Sequence, residues 1–430
     1  MEPILQIALD FLNGDRALTI AEEAYKAGSI WIEAGTPLIK SEGMEIIRKL
    51  REKFPETEIV ADLKTMDTGA LETEMAAKAG ASVICILGVS DDDTIKEAVR
   101  SSKKYGVKIM VDLLGAKDPV KRSKEIEGFG VDFLCIHTGI DQQMKGESSL
   151  KTVKELVKKS SIPIAVAGGI NTENVLEILK EGASIIIVGG ALTKAEDVTK
   201  ATQTMLKTIE KRISIPTNCF KKYDALSLKN AFSLVSTSNI SDAMHRKGAM
   251  KGIRPIKLGY HMVGQALTVQ TLDGDWAKPV EAIDKAEKEE VLVINASSGQ
   301  SAVWGELATR SAIKRELAGL VIDGAVRDID DLKQLGFPIF TRYQVPNAGE
   351  PKGYGEIGLE ISCGEQTVQS GDWIIGDDSG VVVVPKQMAQ EIANRALDVK
   401  EHENRIREEI KRGNSLSSVL HVKKWEKKIG

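Results

Sequence analysis

Through the first 212 residues, short apolar runs alternate with longer amphipathic stretches. The runs fall at 4–10 (ILQIALD), 29–34 (SIWIEA), 58–64 (EIVADLK), 82–87 (SVICIL), 107–113 (VKIMVDL), 131–137 (VDFLCIH), 162–168 (IPIAVAG) and 184–190 (SIIIVGG). Each reads as a strand, and each is followed by a stretch of helical period such as RALTIAEEAYKAG or NTENVLEILKEG. Gly28, Gly80, Gly106 and Gly182 stand where helices should stop, because a residue without a Cβ enters the left-handed region cheaply. Near-continuous apolar strands separated by helices predict a parallel sheet covered on both faces. Eight such units over 1–212 predict a closed (β/α)8 TIM barrel. An open doubly wound sheet is the competitor, but its edge strands would not all read as buried.

The rhythm then changes. Residues 213–223 (ISIPTNCFKKY) show no periodicity and read as a linker. From 224 the chain is β-rich, with runs MVGQALTVQTL, EVLVINAS, LAGLVIDGAV, FPIFTRY and DWIIGDDSGVVVVP and fewer helices between them. It ends in KQMAQEIANRALDVKEHENRIREEIKRG, which has helical period and charge pairs. The expected organisation is therefore an α/β protein with a barrel at 1–212, a linker at 213–223 and a second domain at 224–430.

Composition narrows the function classes. Hydrophobic content of 42% and charged content of 28% are those of a globular protein. Aromatics are 4% and the net charge is −4 with no long basic block, so neither a stacking nor an electrostatic nucleic-acid binder is expected, and no membrane-surface binder. No uninterrupted apolar stretch is long enough for a membrane span, and MEPILQIALD lacks the basic and apolar regions of a signal peptide. Cys85, Cys135, Cys219 and Cys363 form no CxxC pair, which points to reduced thiols and a cytoplasmic protein.

The chemistry gathers at the strand ends. In such barrels the site lies at the C-terminal ends of the strands. Those positions here hold Asp10, Glu33, Asp62, Lys64, Asp112, His137, Gly168, Gly169, Gly189 and Gly190. The stretch ADLKTMDTGA places Asp62, Lys64 and Asp67 at the end of one buried strand, where unpaired charge is costly. Glu33 and Asp62 end neighbouring strands, and two carboxylates facing one cavity suit Mg²⁺, or Mn²⁺ in its place. The bland alternative has Glu33 capping the turn EAGTP and Asp62 simply pairing with Lys64. His137 is a candidate base. The glycine pairs in AGGI and VGGAL suggest a phosphate cradle after the seventh and eighth strands.

ADLKTMD resembles the D-x-K-x-x-D signature of the orotidine 5′-monophosphate decarboxylase suprafamily. The set ALD, WIEAGTPLI, ADLKTMD, MVDLLG, IHTGIDQQ, AVAGGI and IIVGGALT resembles its 3-hexulose-6-phosphate synthases. The resemblance implies Mg²⁺ on Glu33 and Asp62 chelating the C2 and C3 oxygens of ribulose 5-phosphate, with His137 removing the C1 proton. The resulting enediolate would attack formaldehyde to give hexulose 6-phosphate. Lys64 and Asp10 would orient oxygens, and Asp67 would reach across a dimer interface. The sibling 3-keto-L-gulonate-6-phosphate decarboxylases typically carry Glu, Arg and Thr where this chain has Asp112, Gly139 and a position near Gly169, and so fit less well.

In the second half, SAVWGELATRSA (301–312) reads as a glycine turn into a helix N-terminus, and GLVIDGAVRDIDDL (319–332) as a strand leading to Arg327 and Asp328. A helix N-terminus and an arginine fork both suit a carboxylate, and Asp can ligate a metal, but a surface Arg–Asp pair is the plain alternative. Together with STSNISDAM these segments resemble the RraA-like family, which includes ribonuclease E regulators and class II 4-hydroxy-4-methyl-2-oxoglutarate aldolases. That implies an α/β/β sandwich, usually trimeric. In aldolase members Arg327 would hold the carboxylate of pyruvate or another 2-oxo acid, Asp328 would bind the metal, and Glu306 would stand behind it. The amides of Leu307 and Ala308 would stabilise the enolate. The resemblance leaves open whether this half is an aldolase, a regulator or an oligomerisation module.

Overall fold

The structure is a computed structural model and describes residues 2–145, 150–217, 221–420 and 422. Cys219 and part of the expected linker lie outside the described residues. The chain divides into two compact units, Met1–Lys222 together with Glu401–Gly430, and Tyr223–Lys400.

In the first unit eight parallel strands close into a barrel in sequence order: β1 (Ile4–Leu9), β2 (Trp31–Ala34), β3 (Ile59–Thr65), β4 (Val83–Leu87), β5 (Lys108–Asp112), β6 (Phe133–His137), β7 (Ile164–Ala167) and β8 (Ile185–Val188). β8 pairs back onto β1 with Ile7 opposite Val188. Alternate residues divide the core into two parts. Ile84 and Ile86 of β4 join the layer between sheet and helices, whereas Val83 and Cys85 fill the barrel interior with Met110, Phe133 and Cys135. Trp31 meets Phe133 edge-on at 5.8 Å inside. Gly80 and Gly106 end their helices in the left-handed conformation, and Gly182 follows its helix at φ +101. Gly28 differs, because Lys26 is the residue that caps the first helix.

The last segment divides: up to Lys400 it stays with the second domain as expected, packing Ala393 and Ala396 into that domain's core, whereas from Glu401 it groups with the barrel. The reason lies in Arg405, which is almost fully buried and donates to the carbonyls of Ala195 and Glu196 while pairing with Glu23 and Glu409. Charges this deeply placed are held only where several partners converge. The start of the expected linker is also pinned, since Thr172 Oγ1 donates to the Ile215 carbonyl at 2.6 Å.

The second unit has strands β9 (Arg254–Pro255), β10 (Met262–Gln270), β11 (Val291–Asn295), β12 (Ala302–Trp304), β13 (Gly319–Val326), β14 (Ile339–Gln344), β15 (Glu356–Ile357), β16 (Ile361–Cys363), β17 (Gln366–Val368), β18 (Trp373–Asp377) and β19 (Gly380–Val384). Nine form one mixed sheet along the order β19-β18-β10-β11-β13-β14-β9, with β12 on β13 and β15 on β10, and β16–β17 form a separate two-stranded sheet. The all-buried strand β13 lies between β11 and β14, both parallel to it. Its Asp323 is buried and accepts from Arg342 (2.6 and 3.1 Å), Ser298 Oγ (2.9 Å) and the Gly364 amide (2.7 Å), tying the small sheet to the large one.

Candidate active sites

The barrel strands bring six of the expected residues to one mouth. β3 is the organiser. Its pairing with β4 shifts register between Ala61 and Thr65, and Lys64 sits in that irregularity at φ 49. A non-glycine residue there carries strain. Ion pairs offset it: Lys64 Nζ lies 2.8 Å from Asp62 Oδ2 and 3.0 Å from Asp112 Oδ2. Asp112, at the end of β5, also meets His137 Nδ1 at 3.1 Å and accepts from the Leu114 amide at 2.9 Å. Asp62, Lys64, Asp112 and His137 thus form one continuous chain across β3, β5 and β6.

Charge is not balanced there. Burial lowers the Lys64 ammonium pKa, but Asp62 and Asp112 outweigh it and leave the pKa raised, so the lysine stays charged. Burial raises the Asp112 carboxyl, yet its His137 hydrogen bond and the Lys64 charge bring it below the ordinary value. Glu33 has no such counter-charge. Burial first, then Asp62 and Asp10, push its carboxyl well above the usual range, against a weaker pull from Gln6 and Lys64. Asp10 is open to water at the mouth, but the surrounding wall and Asp62 raise its carboxyl too, with Lys64, His137 and Lys194 opposing. Asp10, Glu33, Asp62 and Asp112 face a single ammonium in Lys64, with Lys194 nearby.

Several contributors were not among the expected site residues. Gln6 Nε2 donates to Glu33 Oε2 at 2.6 Å. Thr36 Oγ1 lies 2.8 Å from Asp62 Oδ2. Gly35 makes room for Asp10, since a Cβ there would come within 2.2 Å of Asp10 Oδ1. The short motif EAGTP carries both Gly35 and Thr36, but the contacts span the chain and leave no local signal.

The glycine pairs close the ends of β7 and β8. Gly168 and Gly169 adopt φ +100 and +69, and a Cβ on Gly168 would meet the Thr138 carbonyl at 2.2 Å. Gly189 and Gly190 begin the short helix Gly190–Thr193. Asp67 does not join the Asp62–Lys64 chain. It is exposed and accepts from the Thr68 amide at 2.7 Å. Among the described residues no three His, Cys, Asp or Glu side chains form a complete metal cage. The buried thiols of Cys85 and Cys135 are pushed well up by burial and then by nearby carboxylates, which keeps them unreactive.

In the second unit, Arg327, Asp328, Glu306, Leu307 and Ala308 line one cavity of about 330 Å³ with an apolar wall that includes Trp276 and Trp304. The Glu306 amide, at the start of the helix Glu306–Lys314, donates to Asp328 Oδ2 at 3.0 Å. Arg327 Nε lies 3.5 Å from the same oxygen, and Glu306 pairs with Arg310. All five expected residues meet here, at a surface far more open than the barrel mouth.

These two sites stand in domains of known kind. The family profile "Orotidine 5'-phosphate decarboxylase / HUMPS family" matches residues 3–205, and "RraA-like: Aldolase/RraA" matches residues 237–383. The 3-hexulose-6-phosphate synthase of Bacillus subtilis (strain 168) is 39% identical over 208 residues, covering 48% of this chain and 98% of that protein. That of Staphylococcus haemolyticus (strain JCSC1435) is 38% identical over 209 residues, with 48% and 98% covered. A crystal structure of 3-hexulose-6-phosphate synthase aligns at 36% identity with a TM-score of 0.45, covering 47% of this chain and 97% of that one. The chain therefore belongs, through its barrel, to the orotidine 5′-phosphate decarboxylase / HUMPS family and carries an RraA-like domain behind it.

Proposed function

We propose that the barrel is a 3-hexulose-6-phosphate synthase, a carbon–carbon lyase of the aldehyde-lyase class. It joins formaldehyde to C1 of ribulose 5-phosphate to give hexulose 6-phosphate, and it catalyses the reverse cleavage. The observation that carries this reading is Asp112 holding Lys64 and His137 at once, 3.0 and 3.1 Å away. With Nδ1–H donated to Asp112, the His137 ring keeps Nε2 as a base for the C1 proton. Lys64 supplies fixed positive charge beside the oxygens that become electron-rich, and Asp10 orients a substrate hydroxyl. The glycine pairs at 168–169 and 189–190 receive the phosphate. The enediolate carbon then bonds to the formaldehyde carbon, and the new alkoxide takes a proton.

Glu33 and Asp62 fit Mg²⁺, or Mn²⁺ in its place. Their hard oxygens and the excess of buried negative charge around Glu33 suit a divalent cation. Two protein ligands would leave the other positions to substrate oxygens and water. The cation, when bound, holds negative charge on the C2 and C3 oxygens. Asp112 and Gly139 stand against the alternative, a 3-keto-L-gulonate-6-phosphate decarboxylase. Incubation with ribulose 5-phosphate, formaldehyde and Mg²⁺ should consume formaldehyde and yield hexulose 6-phosphate. Release of CO₂ from 3-keto-L-gulonate 6-phosphate instead would replace this reading with the sibling one.

For the RraA-like half we propose a 2-oxo-acid site, with Arg327 on the carboxylate, Asp328 on a divalent cation and Glu306 behind it, and the Leu307 and Ala308 amides facing the enolate of pyruvate. A homo-oligomer with barrel dimers and RraA-like trimer contacts, located in the cytoplasm, goes with both readings. Pyruvate release from 4-hydroxy-2-oxo acids or oxaloacetate tests the second site. No turnover and no binding across such a panel would leave a regulatory or assembly module.

A further inference from the structure

We propose that Gln6 is a positioning residue for Glu33. It holds one carboxylate oxygen from beneath, so that the other is presented to a divalent cation without loss of the carboxylate's charge. The inference rests on the cation reading of the barrel site.

β1 alternates. Leu5, Ile7 and Leu9 pack outward under the helices, while Ile4 and Ala8 belong to the barrel interior. Gln6 shares the inward parity and is fully buried. The interior around it is apolar, with Val60, Met110 and Phe133 among its residues. An amide in such a layer is unfavourable unless both ends are satisfied. Only one end is. Gln6 Nε2 donates to Glu33 Oε2 at 2.6 Å, but Gln6 Oε1 has no hydrogen-bond partner among the described residues. A stability role would be served better by Leu or Met at this position.

The register explains the reach. Gln6 lies opposite Trp31 and Ala8 opposite Glu33, so the amide sits one interior layer below the carboxylate and diagonal to it. The choice of donor also matters. Asp62 is tied by a cation, Lys64, which competes with any metal for its charge. The amide is neutral: it fixes the carboxylate's orientation and leaves its full charge to a metal.

The test uses the full chain carrying Asp328→Asn, so that cation binding in the RraA-like half does not contribute. Mn²⁺ is titrated without substrate and free Mn²⁺ is read by electron paramagnetic resonance, alongside thermal melting. Gln6→Leu should weaken Mn²⁺ binding about 10-fold or more, while the melting temperature holds or rises. Gln6→Met, which keeps the side-chain length, should do the same and replaces Gln6→Leu if that variant fails to fold. Folded variants that bind Mn²⁺ within twofold of the parent overturn the role of Gln6 alone. A parent that binds no Mn²⁺, or whose binding is unchanged by Glu33→Gln, overturns the cation reading itself and this inference with it.

Discussion

The barrel mouth is built from acids and bases at the C-terminal ends of parallel strands, and the Arg327–Asp328 cavity from residues just past such a strand, yet they hold their charges differently. At the barrel mouth Glu33, Asp62 and Asp112 are buried, and each is tied to a side chain on another element. In the second cavity Arg327 and Asp328 are half exposed, with a 3.5 Å separation and one backbone amide between them and the helix. Removing a side chain from the first site therefore leaves an uncompensated charge in low dielectric, whereas removal from the second leaves solvent to fill in. The comparison predicts a graded series of losses.

The largest should follow Asp62→Ala. It deletes a proposed cation ligand and leaves Lys64 with Asp112 alone. Synthase turnover should fall about 10³-fold or more, with the circular dichroism spectrum retained. Near-parental turnover in the presence of EDTA would end the metal assignment. Asp112→Asn comes next. It keeps volume, but its one oxygen stays on the Leu114 amide and its NH2 replaces the acceptor that sets the His137 tautomer, so exchange of the ribulose 5-phosphate C1 proton with solvent should slow about 10²-fold. Unchanged exchange would detach His137 from the proton step. In the second site, Arg327→Ala should weaken 2-oxo-acid binding by about 1.5–3 kcal/mol, read by calorimetry, since one charged hydrogen-bonded pair is lost in partly open surroundings. A loss as deep as that of Asp62→Ala would erase the contrast between the sites.

The same contrast explains what was legible in the sequence. Strand ends carry information in a barrel, because the fold turns eight separate segments toward one point. Asp10, Glu33, Asp62, Lys64, Asp112 and His137 could thus be named from position, and all six meet. Gln6 could not, because a lone amide in ILQIALD gains meaning only from Glu33, 27 residues on. Thr36 was hidden likewise, since its target is the end of the next strand. The bend at Lys64 is a register shift against β4, which no periodicity reports. In the second half the runs marked strands, but the order β18-β10-β11-β13 depends on pairings between distant segments. The C-terminal helix was readable from its period, while the burial of Arg405 against Glu23 was not.

The smallest effect tests whether burial, rather than function, is what distinguishes the two regions. Asp323 lies in the second unit yet is as enclosed as the barrel acids, and its partners are all structural. Burial alone would raise its carboxyl, but Arg342, the Gly364 amide and Ser298 together hold it below the ordinary value of 3.8. A carboxyl depressed in the folded state binds its proton more readily when unfolded. Its stabilisation is therefore complete above about pH 3.8 and is lost as pH falls through the lower folded value. Asp323→Asn should flatten the acid limb of the stability profile in that window. At neutral pH it should cost a modest part of total stability, because Asn can keep its one oxygen on the Gly364 amide while the Ser298 hydroxyl turns to accept from its NH2, although Arg342 is left without a counter-charge. Urea melts at stepped pH give the slope. An acid limb identical in parent and variant would mean that the Asp323–Arg342 pair does not set it, and that burial in this unit lacks the electrostatic weight it has in the barrel.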